Sequence, residues 1–374
     1  MTTQQQADFG FVITAAGAEG SSDADMYREL FADVKHGIDC GYSIAWMIEH
    51  HFSDYFPTPN PLQLLAYIAG RYPQIALGTC VLVIPWWNPL RLAEDIAQLR
   101  LLTNKPLHLG VGRGTAILEY ERFGMPNMDE TRDRFKETLE IVQQALTQDS
   151  FSYEGKYLSV PKKTRVRPKV STEGIHFYGA VGASPESGAI MAGLKIPIMS
   201  TLFGNFDGTA KTLHAWKETA AANGVDVDKC LSPIMLNCII EDTDEQAVDQ
   251  AKKYIPAFMK AQIDHYEVDG DHFRLLETYS NWRRVWEGMK TRVDPENIPP
   301  WAEEQLVGSP ETVIEKARKV IDAGFNHIFI HTCTAGVPGQ VRRLWIKRFA
   351  EEVAPAFNDR YGSNRTQVKE AASG

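Results

Sequence analysis

Ile75-Ala76-Leu77-Gly78-Thr79-Cys80-Val81-Leu82-Val83-Ile84 carries no charge from end to end and stops at Pro85-Trp86-Trp87-Asn88-Pro89. A strand with one wet face alternates apolar and polar residues, and this one does not. A nearly continuous apolar run fits a parallel strand covered on both faces. Pro89 then opens a helix with Leu92, Ile96 and Leu99 on one stripe. Strand and helix in direct succession make a β/α unit, so the next step is to look for its repeats.

Working outward, the unit recurs. Upstream, residues 9–13 read as a strand, 23–40 as a helix, 44–48 as a strand and 61–71 as a helix. Downstream, residues 107–111 form a strand, followed by a helix carrying Phe135, Leu139, Val142 and Leu146 on one face. The rhythm breaks over 149–174, where 153–157 resembles a small hairpin and 161–170 is basic and punctuated by prolines. It resumes with strands at 176–180, 196–199 and 231–240 and helices starting at Pro185 and spanning 210–223 and 245–259. Residues 264–300, with Trp282 and Trp286, show little periodicity and read as an insertion. A helix through Val313, Ala317 and Val320, a strand at 327–331 and a helix through Val341, Trp345 and Phe349 close the series.

About eight strands separated by helices predict right-handed parallel crossovers and a single (β/α)8 TIM barrel, an α/β fold, with insertions at about 149–174 and 264–300. The barrel spans 1–360, and 361–374 reads as a flexible polar tail. The length of 374 residues suits one barrel enlarged by insertions. A formal charge of −9 argues against nucleic acid or an anionic membrane surface as partner. Five cysteines, odd in number and without a CxxC, argue against a disulfide framework or a zinc knuckle. No signal peptide or membrane-length apolar run is visible, so the expected location is cytoplasmic.

In a barrel the chemistry gathers just after each strand. After the second strand stand Glu49-His50-His51, where period 2 turns His50 away from Glu49 and His51. All three therefore cannot face one metal, and no metal ligands are assigned. After the fourth comes Gly110-Val111-Gly112-Arg113-Gly114, which lacks the third glycine of a dinucleotide fingerprint. Its guanidinium still suits a phosphate. After the fifth, Val181-Gly182-Ala183-Ser184-Pro185 opens a helix with Ser184 as N-cap, an arrangement that also suits an anion. Trp86 and Trp87 could equally be core or the walls of a dry pocket.

Taken in order, GYSIAWMIEHHFSDY (41–55), IALGTCVLVIPWWNPLRLAEDIAQL (75–99), LHLGVGRG (107–114) with ERFG (121–124), and LVGSPETVIEKARKVIDAGFNHIFI (306–330) resemble the bacterial luciferase-like, flavin-dependent monooxygenases. The resemblance runs over roughly residues 9–353. It implies reduced FMN delivered by a separate flavin reductase, and reaction with O2 through a C4a-(hydro)peroxyflavin to oxygenate a small apolar substrate. It also implies a homodimer.

Residue by residue, the resemblance sets His50 beside the flavin ring, with His51 and Glu49 as its supporting network. Arg113, Val181, Gly182 and Ser184 match the phosphate contacts. Cys80 and Val81, joined by a cis peptide, match the support of the ring. Gly112 stands where luciferase has a reactive cysteine and Val181 where it has an acid, which argues against aldehyde bioluminescence. Two alternatives share the fold: an F420-dependent oxidoreductase and a non-catalytic flavin-binding subunit.

Overall fold

The computed structural model describes residues 7–125, 127–202, 205–270 and 282–361. Its strands are β1 (Asp8–Ile13), β2 (Ile44–Met47), β3 (Ala76–Val83), β4 (Leu107–Gly112), β5 (Phe151–Glu154), β6 (Ser159–Thr164), β7 (Ile175–Val181), β8 (Ile198–Thr201), β9 (Pro233–Ile240), β10 (Leu306–Gly308) and β11 (His327–His331). Eight of them, in the order β1-β2-β3-β4-β7-β8-β9-β11, close a parallel (β/α)8 barrel, and β10 adds alongside β9. β5 and β6 form the separate antiparallel hairpin expected between the fourth and fifth barrel strands.

By packing, the chain divides into two compact units. One holds Met1–Trp46, Val181–Ala261 and Glu287–Gly374; the other holds Met47–Ala180 and Gln262–Trp286. The first unit is built around β1, β9 and β11. The Trp46 indole donates to His327 Nε2 at 3.0 Å and lies 4.9 Å from the Phe329 ring. Gly10 makes this possible, because a Cβ there would come within 2.6 Å of the indole nitrogen. A buried Arg342–Asp33 pair at 2.8 Å, shared with Arg343 at 2.7 Å, fastens the last long helix, Gly339–Arg348, to the first, Asp23–Asp39.

The second unit carries β3, β4 and β7. The stretch that suggested the fold forms the strand Ala76–Val83, a single 3-10 turn (Ile84–Trp86) and the helix Pro89–Leu102, capped by Asn88 Oδ1 on the Leu90 and Arg91 amides. Within β3 only Cys80 and Val81 are less than buried, and there the pairing with β4 shifts between Thr79 and Leu82. The hairpin turn is docked by one carboxylate: Glu137 accepts the amides of Lys156, Tyr157 and Leu158 at 2.7–3.0 Å.

Four features differ from the sequence reading. β10 has three residues, too few to show a periodicity. The helix expected to end at 259 runs on as Asp244–Tyr266, because Ile255, Phe258, Met259, Gln262, His265 and Tyr266 continue one buried stripe. Within 264–300, Trp282–Thr291 is helical and 271–281 lies outside the described residues. Tyr361 is buried, its ring 5.4 Å from Phe9, while 362–374 lies outside the described residues. Among the described residues, no helix is long and apolar enough to cross a membrane.

Candidate active site

β2 is buried along its whole length and delivers Glu49, His50 and His51 into the second unit. The loop that follows holds Phe52 and Phe56 at φ of 61° and 52°, a conformation that costs a bulky residue about 1–3 kcal/mol. Surrounding bonds keep it there. Thr58 Oγ1 donates to the Ile48 carbonyl at 2.7 Å, and Gln262 Nε2 donates to the Tyr55 hydroxyl at 2.9 Å.

Glu49 and His51 turn the same way, as period 2 requires. Glu49 Oε1 lies 3.0 Å from His51 Nε2 and accepts the Trp86 and Trp87 indole N–H groups at 2.9 and 3.0 Å. Its Oε2 accepts the Val83 amide at 2.9 Å. Both tryptophans are thus anchored through one carboxylate. The His51 ring also meets Phe123 edge-on at 4.9 Å, and Phe123 stacks on Trp86 at 5.1 Å.

His50 turns the other way. Its Nδ1 lies 3.3 Å from Glu119 Oε1, and that oxygen also accepts the His51 amide at 2.8 Å. His265 Nε2 stands 3.5 Å from the same oxygen, while its Nδ1 shares a 2.7 Å hydrogen bond with Ser53 Oγ. The rings of Tyr55, His265, Tyr266 and Phe56 surround His50 at centroid distances of 4.6–6.5 Å. Enclosure sets the charge states. Desolvation pushes both imidazoles down to about 3, and the Glu119 carboxylate is raised, again mainly by desolvation. Burial likewise raises the Tyr55 and Tyr266 phenols.

The Cys80–Val81 peptide is cis, as the resemblance implied. Gly112 gives Val81 its room, since a Cβ there would lie 2.7 Å from Val81 Cγ2. Arg113 follows β4, and its carbonyl accepts the Tyr120 hydroxyl. Gly114 is held at φ +70°, with Val83 2.6 Å from where a Cβ would be, so only glycine serves. In the other unit, Val181 ends β7 and is buried, and an added Cβ at Gly182 would meet open space. There Ser184 caps the helix Pro185–Gly193 by accepting the Ser187 amide.

The family model for luciferase-like monooxygenases matches residues 8–327. The chain belongs to the luciferase-like monooxygenase family. Among its relatives is the alkanal monooxygenase alpha chain of Aliivibrio fischeri, 26% identical over 85% of this chain and 90% of that one. An F420-dependent glucose-6-phosphate dehydrogenase of Amycolatopsis mediterranei is 23% identical over 91% of this chain and 97% of that one. A solved neighbour is the FMN-bound oxygenating constituent of 3,6-diketocamphane monooxygenase from Pseudomonas putida. It has a TM-score of 0.71 and 20% identity, and covers 94% of this chain and 99% of that one.

Within this family member, the sequence reading missed Glu119 and His265. Glu119 sits on a helix of only six residues, Ile117–Arg122, too short to show a face. His265 had a signal. It lies on the stripe that continues through Phe258 and Gln262, and extending that helix by two turns brings it into view.

Proposed function

We propose that this protein is the oxygenase of a two-component system, taking reduced FMN from a separate flavin reductase and using O2 to oxygenate a small apolar organic substrate. The observation that carries this reading is the His50 imidazole, set against Glu119 inside an enclosure of Tyr55, Phe56, His265 and Tyr266. Bound reduced FMN supplies the electron pair that activates oxygen. The chain supplies positioning, dryness and proton control. Glu119 fixes the His50 ring through Nδ1, which leaves the Nε2 lone pair of the neutral imidazole as the acceptor for a proton. The buried rings of Tyr55 and Tyr266 exclude water that would divert reduced oxygen to peroxide, and the Trp86–Phe123 stack walls the His51 side. Glu49 and His51 hold that wall in place.

The residues present fit an FMN. Arg113 offers a guanidinium for the phosphate, and Val181, Gly182 and Ser184 are its further proposed contacts. In support, Gly182 leaves space where a side chain would stand, and Ser184 opens a helix whose first amides suit an anion. Cys80 and Val81, half-buried in an otherwise buried strand, are proposed to back the ring. The FMN-bound neighbour supports the same cofactor and, as the oxygenating constituent of its enzyme, a reductase partner.

The test is an anaerobic mixture of protein and reduced FMN, pulsed with O2 beside a panel of aldehydes, alkanes, sulfur compounds and cyclic ketones. Oxygenated product with matching oxygen uptake is expected. Reduction of F420 by a substrate, with no oxygenated product formed from reduced FMN and O2, would overturn this reading in favour of the chemistry of the Amycolatopsis relative.

A further inference from the structure

Glu119 poses an electrostatic problem that its hydrogen bonds leave open. Its side chain is 2% exposed, and among the described residues its ion-pair partners are two imidazoles, His50 and His265, with no lysine or arginine. A buried carboxylate is costly unless a cation or enough donors compensate it. Among the described residues, the His51 amide makes its one short hydrogen bond, at 2.8 Å, and His50 Nδ1 a longer one at 3.3 Å. His265 makes the imbalance sharper. Its side chain is fully buried, and its Nε2, aimed at Glu119 Oε1 from 3.5 Å, has no hydrogen-bond partner among the described residues.

The spacing of these atoms suggests what belongs between them. His50 Nδ1, Glu119 Oε1 and His265 Nε2 all lie within 4.8 Å of one another, with edges of 3.3 and 3.5 Å to the shared oxygen. Ligands at about 2.0–2.2 Å from a tetrahedral zinc ion stand roughly 3.3–3.5 Å apart. The outer contacts suit a metal as well. Ser53 holds His265 Nδ1 at 2.7 Å, which leaves the Nε2 lone pair facing inward when Nδ1 carries the proton. The His51 amide steadies the carboxylate oxygen. Two imidazoles and one carboxylate make a borderline donor set that favours zinc, cobalt, nickel or copper over magnesium or calcium.

We propose that His50 Nδ1, Glu119 Oε1 and His265 Nε2 form a binding site for a divalent transition-metal ion of the zinc class, and that its occupation blocks oxygenation by tying up the His50 ring. The fourth coordination position is left for water. Metal binding stands on the three side chains alone; the block on oxygenation rests on the function proposed above.

The first measurement uses flavin-free protein titrated with Co2+, then with Zn2+, followed by visible absorption and calorimetry. One Co2+ per chain with the intense spectrum of low-coordinate cobalt, displaced by one Zn2+, is expected. His265→Ala and Glu119→Gln should each weaken Zn2+ by at least about 100-fold, beyond the 10- to 100-fold typical of losing an outer contact. His214→Ala, at an exposed histidine bonded to the Ala323 carbonyl, should leave the affinity unchanged.

Absence of the cobalt spectrum in the parent protein overturns the site, whatever the variants do. Equal Zn2+ affinity in parent, His265→Ala and Glu119→Gln overturns it too. Full product yield from reduced FMN and O2 with Zn2+ bound overturns the block and leaves the site standing. Oxygenated product from reduced FMN and O2 in metal-free protein judges the flavin reading separately.

Discussion

Two buried carboxylates, Glu49 and Glu119, meet opposite fates in the second unit. Glu49 is ringed by four nitrogens at 2.9–3.0 Å: two indoles, one amide and the His51 ring. Glu119 has one well-made bond, from the His51 amide, and two imidazoles at 3.3 and 3.5 Å. Both are almost wholly buried. A carboxylate satisfied by four close donors holds its surroundings still and has no capacity left over. One that is only partly satisfied attracts whatever cation or proton can reach it. The difference assigns structure to Glu49 and chemistry to Glu119. It also separates two adjacent histidines, since His51 belongs with the first acid through its ring and His50 with the second.

The largest effect should follow the loss of the chemical side of this contrast. His50→Ala should fold and bind FMN, yet lose product by about 10²–10⁴, the range for a missing general acid or base. Oxygen uptake should continue and appear as hydrogen peroxide, so product and peroxide are scored together in single turnovers. If His51→Ala loses product and His50→Ala does not, the two imidazoles are assigned the wrong way round.

Next comes the structural side. Glu49→Ala would strand the Val83 amide and both indoles, and should destabilise the fold by about 3–5 kcal/mol, as removal of one partner from a buried charged network does. Urea unfolding measures it, and a loss below about 1 kcal/mol would break the comparison. Smaller again, Arg113→Ala should weaken reduced FMN by about 10- to 150-fold, the equivalent of about 1.5–3 kcal/mol for a charged hydrogen bond. Unchanged affinity in a flavin titration would move the phosphate elsewhere.

The smallest effect concerns a buried histidine bonded to an indole. His327 accepts the Trp46 indole, and desolvation lowers it from its ordinary 6.5 to about 4. The unfolded chain therefore takes up this proton first as pH falls. The stability it contributes is present above pH 6.5 and drains away between 6.5 and about 4. By pH 5.5 the loss is about 1.4 kcal/mol. His327→Gln should flatten that part of the stability profile, and an unchanged slope would count against it.

Much of this was legible in the residues. The uncharged run 75–84 and its neighbours announce a parallel barrel because burial on both faces erases alternation, and the structure puts β3 there. Period 2 at 49–51 separates His50 from its two neighbours, and the side chains part as expected. Glu119 and His265 were not legible as a pair. They are 146 positions apart in sequence (265 − 119), and only the barrel's closure of β/α units into one ring brings such residues onto one oxygen. Long-range pairing of this kind leaves no local period to read.

The most direct test sets the two acids against each other as Glu49→Gln and Glu119→Gln, with unfolding free energy and product yield per folded molecule measured on the same preparations. Glu119→Gln should keep its stability within about 1 kcal/mol of the parent, because a neutral amide is easier to bury than a carboxylate, and should lose product at least tenfold. Glu49→Gln should lose stability and keep its product. Parent-like product from Glu119→Gln, or the same pattern of losses in both variants, would contradict the division of labour between the two carboxylates.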